Sequence, residues 1–257
     1  MRTRTVLKVE AEGTVTSFRY PFFTQGFQPT FEMPPPSTIY GHICSAVGDW
    51  IAPESLEFGY YFSHAGKFVD YKEHLHFSSP IQPNPFDREL LFQPRLTLYL
   101  ARREEARWSL DELAQAFREP HFAVVLGRSQ DLMSYRRVHI TQLHEAERGY
   151  FENTLLPLEM APALERGVIA ATMARYIDPR RRPQWGNYAV LQGRALWPPP
   201  ASALPDAWDK QENEPQAQGL RFEGMPETVW VDLDGPDHPK HPGVKRAVWF
   251  HRFVKEQ

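Results

Sequence analysis

The sequence predicts an α+β protein: a ferredoxin-like (RRM-like) domain with an inserted β-hairpin and a β-rich, proline-rich C-terminal extension. Three observations predict it. Strand and helix periodicities follow one another as strand, helix, strand, strand, helix, strand across the first half of the chain. One helix has both of its ends marked by residues suited to caps. A proline-rich tip, Ser78 to Pro85, separates two β-prone runs.

The elements follow in order. Leu7, Val9 and Ala11 alternate with Lys8, Glu10 and Glu12, the period of a half-buried first strand. Gly13 permits a bend before Thr14 to Arg19, and Pro21 ends pairing. Pro34, Pro35 and Pro36 then hold the backbone extended, Ser37 or Thr38 offers an N-cap oxygen, and Gly48 can close the helix in the left-handed conformation. Ile39, Ile43 and Val47 form its apolar stripe, which leaves Gly41, His42 and Ser45 on a face free for contacts.

Phe58 to Phe62 reads as the second strand, and Phe68 to Phe77 with a long returning strand, Arg88 to Leu100, as the hairpin. Ser109-Leu110-Asp111-Glu112 is a capping box opening a second helix that runs to about Arg118. Phe122 to Leu126, a short continuous apolar run ended by Gly127 and Arg128, is expected to be the last strand of a domain covering 1–135, with the hairpin at about 66–100. In the extension, 136–257, Val168 to Ile177 and Trp185 to Trp197 are expected to pair across a turn holding Arg180, Arg181 and Arg182. An irregular excursion with nine prolines spans Pro198 to Pro242, and Val244 to Val254 returns as a final strand.

Composition narrows the class. A hydrophobic fraction of 42% and a charged fraction of 24% fit a globular protein, and a single cysteine, Cys44, excludes an internal disulfide. No apolar run reaches the length of a membrane span, and the N-terminus lacks a signal-peptide core, so no membrane partner and a cytoplasmic location are expected. The net charge of −3 argues against a free-standing, high-affinity nucleic-acid binder. It is unevenly spread: Pro205 to Lys240 carries −6, which leaves +3 on the rest.

Two chemistries suggest themselves. The helix start presents unpaired N–H groups suited to a phosphate, and Phe22-Phe23-Thr24-Gln25-Gly26-Phe27 just upstream offers aromatic rings for stacking bases, unless those rings merely cover the core edge. Arg128, Arg136, Arg137 and the Arg180 to Arg182 run are phosphate candidates, although Asp131 can hold the Arg128 guanidinium bidentately and make it structural. Metal-free RNA cleavage would need groups such as Tyr40, His42, Tyr71, Lys72 and His74. His64, Asp70, His74 and His76 lie close in sequence, but without HExxH or Cys/His finger spacing, so neither metal nor cofactor is expected.

A first strand, an Arg/Phe-containing segment, Pro-Pro-Pro-Ser-Thr-Ile-x-Gly and a small-residue helix ending at Gly48 together resemble the CRISPR-associated "Cas five" family, subunits of type I Cascade surveillance complexes. Arg88 to Leu100 and Leu126-Gly127-Arg128-Ser129-Gln130-Asp131-Leu132 extend the resemblance, which covers Leu7 to Val138 and looks more like type I-B relatives than like the RNA-processing branch of the family. It implies a non-catalytic subunit that binds the five-prime, repeat-derived handle of the CRISPR RNA. Its implied partners are the large subunit, the first backbone subunit and, through the complex, target DNA. The RNA-binding residues implied are Arg19, Phe22, Phe23, Gln25, Ser37, Thr38, Tyr40, His42, Arg88, Arg128, Arg136 and Arg137, with the hairpin as a "thumb" edged by Lys72, His74, His76, Arg88 and Arg95. Some members of the family process precursor RNA with a Tyr, Lys and His set, which here would be Tyr40, Lys72 and His74. The chain departs from that pattern, because its one adjacent Lys-His pair, Lys240-His241, lies in the proline-rich tail.

Overall fold

Alternation of apolar and polar side chains builds the centre of the molecule. In the computed structural model, which describes residues 2–23, 26–76, 82–164, 167–200 and 226–253 (72–76 and 82–86 by backbone pairing), strand β1, Thr3–Gly13, runs through the middle of a seven-stranded sheet. It pairs antiparallel with β7, Arg95–Arg102, on one side and β8, Met133–Ala146, on the other; β4, Leu56–Ser63, lies beyond β7. Helix α1, Pro36–Val47, links β1 to β4, and α2, Leu110–Arg118, links β7 to β8. Leu7, Val9 and Ala11 face the helices together with Leu96, Leu98, Leu100, Phe58, Tyr60 and Phe62. That face is the principal core.

Three expectations are corrected here. Phe122 to Leu126 is not the last strand of this unit: it contributes a bridge between Val125 and Leu132 and a turn in which Leu126 N–H donates to the Asp131 carbonyl at 3.0 Å. The strand is β8, within which residue 135 falls, and its mixed, largely half-exposed pattern lacks the apolar run that marks a buried strand. The returning strand Arg88 to Leu100 is two strands, broken at Gln93, whose φ is 49°, and Pro94. Neither Ser37 nor Thr38 caps α1. The cap position is Pro35, without a side-chain hydrogen bond, and Pro36 at the first helical position has no N–H to satisfy. The other end behaves as expected: Gly48 is left-handed at φ 82°, and a Cβ there would come 2.4 Å from the His121 ring.

The hairpin consists of β5, Gly66–His76, and β6, Gln82–Phe92, in continuous register; its tip, 77–81, lies outside the described residues. It belongs to a separate sheet. β2, Val15–Thr16, and β3, Phe27–Gln28, pair with the base of β6, β2 antiparallel and β3 parallel. The extension supplies a three-stranded sheet in the order β10 (Val168–Ile177), β11 (Pro183–Trp197), β9 (Gly149–Pro157).

The proline-rich excursion is not irregular throughout. Within it, β12, Val229–Asp232, pairs with 143–146 of β8, and β13, Asp237–His238, forms a small ribbon with β14, His241–Lys245; residues 201–225 lie outside the described set. Nor is the return a single strand. β15, Ala247–Val248, pairs with β12 at one edge of the main sheet and β16, His251–Arg252, with β4 at the other. One continuous segment, 247–252, therefore ties both edges of the curled sheet. It covers part of the sheet face turned from the helices: Val6, Tyr99, Ala101, Leu143 and Val248 form a second cluster with Trp230 and Phe250, while Glu10, Thr97 and Arg137 further along that face are half-buried or exposed. Gly59 is required there, since a Cβ would lie 2.4 Å from the Trp249 carbonyl oxygen.

Candidate functional site

The segment between β1 and α1 is pinched into a loop by its own hydrogen bonds. Phe18 N–H donates to Thr30 Oγ1 at 2.8 Å, Phe31 N–H to the Phe18 carbonyl at 2.8 Å, and Arg19 bridges Thr30. Tyr20 stacks on Phe31 with ring centroids 3.7 Å apart. This closure pushes the aromatic residues at the loop's end into solvent: Phe22 is 72% exposed, Phe23 47% and Phe27 40%. Because β3 pairs with β6, the loop is also fastened to the base of the hairpin.

On its other side the loop meets β11, where Phe22 stacks on Trp185, itself exposed, at 5.5 Å and 27° between ring planes. The result is an exposed aromatic strip with Arg19, also exposed, on the same loop. Trp185 escaped the sequence reading. The available signal was a tryptophan at the solvent end of a strand, next to the Arg180 to Arg182 turn. Phe23 further borders a groove of about 340 Å³ with Tyr20, Glu32, Lys67, Ile169 and Val190.

The charges beside the strip are largely paired. Glu32 accepts from His64 Nε2 at 3.2 Å and Lys67 Nζ at 2.6 Å, and the hydrogen bond from His64, aided by Lys67, holds its carboxyl down at about 2. Lys67 also lies 3.4 Å from Glu89. Arg88 is bonded to Asp70. Arg182 is held by Asp178 at 2.8 Å, and Arg180 is exposed.

The remaining expected residues are scattered. Ser37 and Thr38 are half-buried in the first turn of α1. Tyr40 is buried, its hydroxyl donating to the Ile51 carbonyl, and burial pushes the phenol far above its ordinary range. His42 was expected on a free face and is instead buried against α2 and β8: Nδ1 meets the Val125 carbonyl at 2.8 Å and Nε2 the Tyr135 hydroxyl at 3.0 Å, and desolvation lowers its basicity. The physical reason is that α1 is covered on more than one side, by α2 and by β10, so its buried face is wider than the four-residue stripe.

Arg128 is locked onto Asp131 by Nε at 2.9 Å and Nη2 at 2.5 Å, while Asp131 also accepts the backbone N–H groups of Ser17 and Arg128. Arg136 pairs with Glu12 at 3.3 Å, and Arg137 is exposed on the same strand, β8. Gln25 and the side chains of Lys72 and His74 fall outside the described residues. Arg19, Phe22 and Phe23 are thus brought together, Tyr40 and His42 go to the core, and Arg128 has a structural partner. Among the described residues no cluster of His, Cys, Asp and Glu is placed to hold a metal, and no helix is long and apolar enough to cross a membrane.

No family model matches the sequence, and no curated protein matches it. In fold, the chain is similar to a chain of a CRISPR RNA-guided surveillance complex, with a TM-score of 0.46 and 13% identity over 78% of this chain and 93% of the other. It is also similar to a CRISPR protein from Archaeoglobus fulgidus, with a TM-score of 0.42 and 15% identity over 75% and 90% of the two chains. A third similar structure is a chain of the type III-B Cmr-beta complex bound to cognate target RNA and AMPPnP, with a TM-score of 0.38 and 10% identity over 74% and 85%.

Proposed function

We propose that this chain is a non-catalytic, RNA-binding subunit of a type I CRISPR surveillance complex, of the Cas five kind and nearest type I-B, that holds the five-prime handle of the CRISPR RNA between the large subunit and the first backbone subunit. The observation that carries the reading is the exposed stack of Phe22 on Trp185 beside exposed Phe23, with Arg19 on the same loop, fastened to the base of the hairpin at Phe27–Gln28. Exposed rings on a tethered loop suit splayed, single-stranded bases, each stacked base being worth about 1–3 kcal/mol. The order β8-β1-β7-β4 with helices after the first and third strands supports the ferredoxin-like assignment.

RNA-recognition sheets commonly stack bases on the face away from the helices. Here 247–252 covers that face around Val6, Tyr99 and Leu143, where Gly59 meets Trp249, and the most exposed aromatic rings available to the handle are those of the loop at the hairpin base. Modest net charge is consistent with affinity shared among several contacts of one assembly. The processing-nuclease alternative loses its tyrosine, since Tyr40 is buried with its hydroxyl engaged.

The test is end-labelled repeat RNA incubated with the purified chain in EDTA, following binding and cleavage together. Binding without cutting, strengthened by the partner subunits and weakened about tenfold by Phe22→Ala at unchanged melting temperature, is the expected result. Site-specific cutting, or RNA occupancy indifferent to Phe22→Ala, overturns it.

A further inference from the structure

Strand β8 is paired along 133–144 with β1 on its inner side, but on its outer side β12 covers only 143–146. At the start, Met133 N–H is used by the Val124 carbonyl. From Ser134 to Gln142 no strand among the described residues pairs with the outer edge. A register shift at Glu10/Ala11 leaves Arg136 bulged, so the regular part of the edge is 137–142.

The outward groups can be identified. The Val138 carbonyl accepts from Arg118 Nη2 at 3.2 Å, so Val138 points its backbone away from β1, and by the two-residue period so do Ile140 and Gln142. A groove of about 490 Å³ flanks the first half of this edge, lined by Phe117, Arg118, Val124, Tyr135, Arg137 and Val138. Ile140, 38% exposed, extends the apolar surface beyond it. The groove itself is lined by three arginines, Arg118, Arg136 and Arg137, and no acid; nearby, Glu12 pairs with Arg136, Glu10 lies opposite Arg137 and 3.7 Å from Lys8, and at the far end Thr141 donates to Asp234 at 3.4 Å.

We infer that the outer edge of β8 receives an extended, acidic segment of a protein partner, which adds to the sheet as a further strand. Alternating backbone donors and acceptors complement another polypeptide strand at every position, whereas phosphates satisfy only the N–H half of the edge. The three arginines of the groove select carboxylates at its rim, and the Phe117–Val138 surface takes apolar side chains from alternate positions. This surface is separate from the aromatic loop and does not rest on the RNA assignment.

The probe is a fluorescent peptide of alternating valine and glutamate, with two controls: the same peptide N-methylated at every second amide, and its lysine counterpart. Fluorescence anisotropy against the full chain should show saturable binding, weakened about tenfold or more by N-methylation and by charge reversal of the peptide. Ile140→Pro removes an amide hydrogen that no strand among the described residues uses, and should abolish binding at unchanged circular dichroism. If that variant misfolds, the N-methylated peptide and Arg118→Glu/Arg137→Glu test the same point. Equal binding of the N-methylated peptide overturns the inference. So does binding of a single-stranded RNA that Arg137→Glu abolishes while the peptide does not bind, or a dimer of this chain that Ile140→Pro dissolves.

Discussion

Asp131 sits in a surface turn yet is almost wholly buried, and its carboxylate collects the guanidinium of Arg128, the backbone of Ser17 and the backbone of Arg128. Asp131→Ala strands all of these donors and should lower stability by about 3 kcal/mol in a urea titration. Arg128→Ala leaves two backbone donors on the carboxylate and should cost about half as much. The pairing was legible because it is local, three residues apart. His42 was not, because the groups that bury it, Val125 and Tyr135, come from distant chain. His251 carries a pH dependence: burial among Phe58, Tyr60 and Tyr188 pushes its imidazole down to about 4. The unfolded chain therefore takes up a proton there before the folded one does. Stability is full above about pH 6.5 and should fall by roughly 3 kcal/mol as pH drops towards 4, a slope that His251→Phe should flatten in melting curves. Glu32, depressed to about 2, adds its own loss below about pH 4.5, which Glu32→Gln should remove.

At the level of elements, local signals were the readable ones. The Ser109/Glu112 capping box is formed in both directions, Glu112 N–H to Ser109 Oγ at 3.1 Å and Ser109 N–H to Glu112 Oε2 at 2.8 Å. Ser109→Ala should therefore cost about 1 kcal/mol by thermal denaturation. Ser37→Ala should change the melting temperature little, because α1 begins on Pro35 and Pro36 without a side-chain cap. β8 was the element missed. Its residues 133–146 interleave arginines, histidines and threonine with few large apolar groups, because one face meets α2 only in part and one edge lies open. The division of Arg88 to Leu100 into β6 and β7 was hidden for a different reason: both halves are strand-like, and only the turn at Gln93-Pro94 assigns them to different sheets. Trp185 became part of the site through a contact with Phe22 that no sequence spacing encodes.

On the scale of the whole molecule, the principal sheet depends on chain from both halves. β1, β4, β7 and β8 set its order, and β12, β15 and β16 complete its edges. Removing residues 247–253 should uncover Val6, Tyr99 and Leu143 and give dye-binding protein with a broadened unfolding transition, whereas Phe22→Ala should leave the transition sharp. The succession of strands and helices was readable in the first half of the chain except for its last strand, which is β8 and not Phe122 to Leu126. The closure of the sheet was not, because β15 and β16 are two residues each and a periodic pattern needs more length to show. That closure also sets a schedule for synthesis. His251 must reach Phe58, so the far edge of the sheet cannot form until residue 252 has cleared the ribosome, and until then the nascent chain carries β4 unpaired on that side.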